Sequence, residues 1–252
     1  MDLYVADAQT GRIVKKLTSP NRSSHFDALS FIQSAGTWSP DGRKFAFVVF
    51  NEGNNELAIL DVASTDVERE IEVQSVGSIQ NPAWSPDGRS IAFTGMKGGV
   101  SDLYVLDLES NVARQLTDDR YADLQPAWSP DSRTIAVATD RAVSDLQLLT
   151  WGPMQISLVD AATGTSRSLN LFPGKVKHIN PQFSPDGRSI YFIADRDGFS
   201  DIYRTELSSN AIFQVTRVAT GVSGITDLSP AMSVAQGTGR VMFSVFQNAG
   251  NN

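Results

Sequence analysis

The chain has 252 residues, 41% of them hydrophobic, no cysteine and a formal charge of −7. Without cysteine it has neither disulfides nor thiolate metal sites, and its scattered acids, with no Lys/Arg cluster, argue against a nucleic-acid surface. No apolar run is long enough to insert in a membrane, and MDLYVADAQ lacks the basic and apolar segments of a signal peptide, so a soluble chain with one sizeable core is expected.

In chain order, MDLYVAD (1–7) and RIVKKLT (12–18) read as two strands about a turn. After a connection over 19–32 comes TWSPDGR (37–43). Near copies return as AWSPDGR (83–89), AWSPDSR (127–133) and QFSPDGR (182–188), with a worn fifth, PAMSVAQGTGR (230–240). Short apolar runs separated by turn residues, repeated at this spacing, are the mark of a β-propeller. The stretch 81–118 reads as four strands in a meander: NPAWS, RSIAFTG, SDLYVLD and VARQLTD.

Each recurrent position has a local reason. In Ser-Pro-Asp-Gly, proline presets φ, aspartate bonds forward to the backbone and glycine accepts φ > 0. Ser132 replaces that glycine in one copy, where a left-handed residue costs about 1 kcal/mol, so a different turn is expected there. An acid ends each third strand (Asp7, Asp61, Asp107, Asp160 and Glu206), as a cap for the hairpin turn that follows. Trp38, Trp84, Trp128, Phe183 and Met232 precede the first turns and are expected to wedge between blades.

The expected fold is all-β: a five-bladed propeller of four-stranded antiparallel blades forming a single domain over 1–252. Blades fall at about 33–75, 79–118, 123–170 and 178–217. The halves 1–18 and 225–252 combine into the fifth, with residues 241–246 beside 3–7, so that pairing of N-terminal with C-terminal strands closes the ring and removes its edges.

The SPDG copies, the SDLYVLD and SDIYRTE strands and the QLT and QVT strands after them resemble the TolB-type (WD40-like) propeller repeat, over nearly the whole chain. That resemblance implies a non-enzymatic, protein- or peptide-binding scaffold of the bacterial periplasm or cell envelope. Because related propellers occur in prolyl-oligopeptidase-type peptidases, it also implies an alternative: the gating propeller of a hydrolase whose catalytic domain is absent. The TolB proteins carry an additional domain before six blades, whereas this chain counts five and begins inside a blade, as a segment of a longer envelope or secreted protein would.

No catalytic, metal or cofactor site is expected. The stretch Gly221-Val222-Ser223-Gly224-Ile225 lacks the second glycine of a nucleophile elbow at the required spacing. His25 and His178 have no ligand or triad pattern and read as loop residues. In the run 195–201, Asp195, Asp197 and Asp201 alternate as calcium ligands would, but Arg196 intrudes and no bidentate glutamate follows, so a hairpin turn is the favoured reading.

Meander topology places the irregular connections (19–32, 141–153, 170–177 and 218–224) on one face, and length variation marks the face where specificity resides. The third blade's connection carries Leu146, Leu148, Leu149, Trp151 and Met154. This apolar group either folds back as an extended hairpin or anchors a partner. Three residues before the wedges stand Asn81, Gln125, Asn180 and Ser229, with Ala35 the fifth. As a channel mouth these polar groups either bind a ligand or satisfy the ends of inner strands and ordered water.

Overall fold

The computed structural model describes residues 3–18, 28–29, 35–51, 54–74, 76–141, 143–224, 226 and 228–246. A hairpin of β1 (Leu3–Ala6) and β2 (Ile13–Thr18) leads into a first sheet. There β3 (Ala28–Leu29) and β4 (Thr37–Trp38) both pair with β5 (Lys44–Asn51), followed by β6 (Asn54–Asp61) and β7 (Val67–Glu72). The second sheet is β8 (Ser78–Trp84), β9 (Ser90–Lys97), β10 (Val100–Asp107) and β11 (Ala113–Gln115). The third is β12 (Asp123–Trp128), β13 (Thr134–Thr139), β14 (Gln155–Asp160) and β15 (Ser166–Ser168). The fourth is β16 (His178–Phe183), β17 (Ser189–Ala194), β18 (Asp201–Glu206) and β19 (Ile212–Gln214), and a hairpin of β20 (Met232–Val234) and β21 (Val241–Phe243) ends the chain. All pairings between these strands are antiparallel and follow chain order, as in a set of propeller blades.

Local chemistry makes the repeated turns. In each SPDG-type copy the serine hydroxyl donates to the aspartate Oδ1 at 2.6 Å, and that oxygen also accepts the N–H two residues on. Asp7, Asp61, Asp107 and Asp160 likewise cap the next hairpin turn, each Oδ1 accepting the N–H groups two and three residues ahead. Ser132 departs from expectation: it keeps the glycine turn, with φ 58° and its N–H on Ser129 O at 2.9 Å. Its hydroxyl accepts the Asp87 N–H of the preceding blade at 3.1 Å, which offsets the left-handed conformation.

Apolar side chains fill the spaces between adjacent sheets, so the core is a series of inter-blade layers. Ile79, Phe93 and Tyr104 meet Val48, Leu57 and Ile59 between the first and second blades. Trp128 and Ile135 meet Leu103 and Val105 between the second and third, and Phe183 and Phe192 meet Ala136 and Leu158 between the third and fourth. Each such aromatic contributes a few kcal/mol, on the order of 2–3.

The wedge reading fails at Trp38, which is 44% exposed. The expected cover was a blade combining the two terminal hairpins, but among the described residues no ladder joins them: β1 pairs with β2, and β20 with β21. Thr10's hydroxyl and the Thr10 and Gln9 N–H groups hold the Asp7 carboxyl below its usual range, and Arg240 adds to this as Arg89 does for Asp107 inside the second blade.

Candidate functional site

The connection between β13 and β14 is a braced hairpin, where an extended strand pair was the alternative expected. Asp145 and Thr150 exchange backbone hydrogen bonds of 2.9 and 3.0 Å, and Asp145 Oδ1 accepts the N–H groups of Gln147 and Leu148. At its base the Ser144 hydroxyl donates to Asp140 Oδ2 at 2.7 Å and accepts the Gly152 N–H at 3.0 Å. A Cβ at Gly152 would lie 2.4 Å from Val143, so this close crossing needs glycine. Leu149 sits at φ 51°, a left-handed conformation costing a leucine about 1 kcal/mol or more.

This frame leaves Leu148, Leu149 and Trp151 bare, at 72%, 75% and 73% exposure. Leu146 is half-buried, and Met154 packs on the core shared by the third and fourth blades. The structure thus brings three of the five expected anchors to one tip and assigns Met154 to the core.

Asn81, Gln125, Asn180 and Ser229 are all buried. Asn81, Gln125 and Asn180 take left-handed φ values of 50°, 55° and 54° at register breaks in β8, β12 and β16. The Gln125 amide donates to Leu228 O at 2.6 Å and accepts the Asn180 N–H at 2.7 Å. Asn180 Oδ1 accepts from both Ala231 N and Met232 N at 2.8 Å. These two amides therefore stitch successive inner strands together.

The hairpin is tied to the blade body by Arg141, whose guanidinium pairs with Asp119, reaches Asp123 Oδ2 at 3.0 Å and lies over the Tyr121 ring. Burial pushes the Asp123 carboxyl up to about 6, with Asp102 and Asp140 adding to the effect against the Thr117 and Thr139 hydroxyls. This anchor could have been found by aligning the repeats, which place Asp-Arg at both 140–141 and 195–196.

His178 corrects the loop expectation: it opens β16, fully buried, against Phe172 and Phe192, and among the described residues neither ring nitrogen has a hydrogen-bond partner. With no hydroxyl or carboxylate bonded to it, it is not placed as a general base. His25, Ile225, Asp227 and most of the 19–32 connection lie outside the described residues. The acids of 195–201 diverge. Asp195 Oδ1 accepts the Lys177 N–H, whereas Asp201 is buried and accepts from Thr216, Val218 and Gln214. Among the described residues no acid, histidine or cysteine group is arranged to hold a metal ion, and no helix is long and apolar enough to cross a membrane.

Residues 27–148 match the TolB beta propeller domain family. A search of curated proteins found no significant match. Among solved structures, TolB from Acinetobacter baumannii superposes with a TM-score of 0.65 at 21% identity, over 88% of this chain and 50% of that one. A TolB from Agrobacterium tumefaciens gives 0.63 at 25% identity over 84% and 67%. A puromycin hydrolase gives 0.63 at 18% identity, over 99% of this chain and 42% of the hydrolase. The chain spans half the length of the Acinetobacter protein. The SPDG-type turns, capped third strands and meander sheets of the chain agree with the fold of these TolB propellers.

Proposed function

We propose that this chain is a non-enzymatic propeller that binds a protein or peptide through the face bearing the long connections, with Leu148, Leu149 and Trp151 as anchors. The observation that carries this reading is the bare apolar tip on a hydrogen-bonded hairpin: it costs a leucine in a left-handed conformation, and leaving it in water stabilises nothing in the monomer. Gln125 and Asn180 have their amides committed to the scaffold, which favours the structural role for the channel-mouth group. In keeping with TolB-type proteins, the chain is assigned to the bacterial periplasm or envelope. The test is an affinity capture from an envelope extract, comparing the parent with a Trp151→Ala, Leu149→Ala double variant. The variant should melt with the parent, because both side chains are exposed, and lose the captured partner. Identical capture profiles would remove the tip from consideration.

A single domain of five blades, closed by the terminal hairpins, accompanies this reading. Its support is the exposure of Trp38, Tyr4 and Phe243, which a paired fifth blade would cover. Deleting residues 1–18 should then abolish the cooperative melt or cause aggregation, and an unchanged melt would argue against closure.

The likeness to the puromycin hydrolase favours a second reading, a gating propeller of a peptidase. A hydrolase domain in the same reading frame would select it.

A further inference from the structure

The second and fourth blades repeat the same residues at the end where the long connections gather, and at one acid their bonding differs. Asp201 on β18 is satisfied: Oδ1 accepts the Thr216 hydroxyl at 2.8 Å and the Val218 N–H at 3.0 Å, and Oδ2 accepts the Gln214 amide at 3.2 Å. Its counterpart on β10, Asp102, accepts the Gln115 amide at 3.0 Å through Oδ2, but its buried Oδ1 has no partner among the described residues. Where the fourth blade continues with Arg217 and Val218, the second continues with Asp118 and Asp119.

Further unsatisfied groups collect beside Asp102. Asp123 Oδ1, the Tyr104 hydroxyl and Arg141 Nε are all buried without a hydrogen-bond partner among the described residues. The titratable and charged groups facing Asp123 come from three directions: Asp102 and Tyr104 on β10, Asp118 and Asp119 in the connection after β11, and Asp140 and Arg141 just after β13. Five carboxylates thus share one guanidinium, and Asp102, Asp123 and Asp140 are buried. Ionised acids crowded out of water in this way either take up a proton or open to solvent. Burial accordingly pushes both the Asp102 and Asp123 carboxyls upward.

Bonds on either side fix what an opening moves. Arg141 ties to Asp119 and Asp123, one Asp140 oxygen accepts the Ala122 N–H at 2.9 Å, and the other accepts the Ser144 hydroxyl at the root of the exposed hairpin. The connection 118–122 and the hairpin root are docked to each other through this cluster, whereas the Asp145–Thr150 bonds inside the hairpin do not involve it.

We infer that Asp102, Asp123 and Arg141 form a proton-operated latch at the root of the exposed hairpin. With a proton on the aspartate pair the 118–122 connection stays docked; with the proton lost, the carboxylates favour an opened state in which they reach water and the hairpin moves as a unit. The latch regulates how the tip proposed above as the binding element is presented, and it rests on that reading only for this consequence. Solvation returns Asp123 toward 3.8 from about 6, so the opened state gains on the docked one as pH rises through that interval.

Native-state hydrogen exchange between pH 5 and 7, corrected for intrinsic base catalysis and run with no partner present, tests the latch. The Ala122 N–H is expected to lose about tenfold in protection across that range. The Lys177 N–H is held in the same way by Asp195 in the fourth blade, where His178 replaces Asp123, and is expected to lose none. The Asp145 and Thr150 amides inside the hairpin are likewise expected to keep theirs. Asp123→Asn should remove most of the change at Ala122. Should that variant fold poorly, Asp102→Asn keeps an acceptor for Gln115, removes the neighbouring charge and should move the change to lower pH. Flat protection at Ala122, an equal loss at Lys177, or a change that persists in folded Asp123→Asn or does not move in folded Asp102→Asn would each overturn the latch. None of these outcomes touches the capture experiment, and identical capture profiles would leave the latch standing.

Discussion

Asp123 and His178 occupy the same place in successive blades, the first residue of the innermost strand, and both are fully buried. Around them the two blades repeat: Asp140 accepts the Ala122 N–H at 2.9 Å, and Asp195 accepts the Lys177 N–H at 2.8 Å. The arginines that follow part company. Arg141 pairs with Asp123 and Asp119, whereas Arg196 lies over the Phe172 ring that also stacks on His178. One backbone position thus takes an acid where a guanidinium can reach it and a neutral imidazole where aromatic rings enclose it. The blade scaffold sets the burial, and the neighbouring side chains set which charge state that burial tolerates.

Removing the arginines should break the comparison most sharply. Arg141→Ala leaves Asp123 buried without its partner and is expected to cost about 3 kcal/mol or more. Arg196→Ala loses a ring contact and should cost about 0.5–1 kcal/mol. Denaturant unfolding of the two variants measures both, and equal losses would show that the ion pair is not what distinguishes the two blades.

Titration should separate them next. Burial lowers the His178 imidazole to about 4, with Asp195 opposing, while it raises the Asp123 carboxyl to about 6. For His178 the unfolded chain binds the proton more tightly, so its contribution is complete above its unfolded value of 6.5 and is lost as pH falls toward 4. For Asp123 the folded chain binds the proton more tightly, so its contribution is complete below 3.8 and is lost as pH rises through 6. Each effect is on the order of 3 kcal/mol over the whole window, and between pH 4 and 6 they oppose one another. Denaturant midpoints of His178→Phe should therefore fall as pH rises from 4 to 6, and those of Asp123→Asn should rise. Parallel profiles for the two variants would contradict the assignment.

A further effect concerns what the blades share. Asn180→Ala leaves the Ala231 and Met232 N–H groups buried without their acceptor and should cost about 1–3 kcal/mol. The melting temperature checks it, and no change would mean that water replaces the amide.

The repeated turns and caps were legible in the sequence because their chemistry is local: Ser85, Asp87 and Gly88 bond within a few residues of one another. The meander strands followed from the spacing of those turns. Ser132 was misread because its compensating bond comes from Asp87, in another blade and 45 residues away. Trp38 was misread because the strand pairing between the two ends of the chain that was expected to cover it is not found among the described residues. At the candidate site, Leu148, Leu149 and Trp151 stood out by composition, but nothing local to Met154 distinguishes a core methionine from an anchor.

The sequence by itself determined the all-β meander, its turn chemistry and the face on which irregular connections gather, since each depends on φ preferences and hydrogen bonds spanning a few residues. Tertiary structure alone decided which amides became stitches and which tryptophan stayed bare. Those outcomes rest on contacts between blades some 45 to 50 residues apart, such as Arg114 to Ala161 and Asn180 to Ala231, and burial and pairing at that distance are set by how sheets pack.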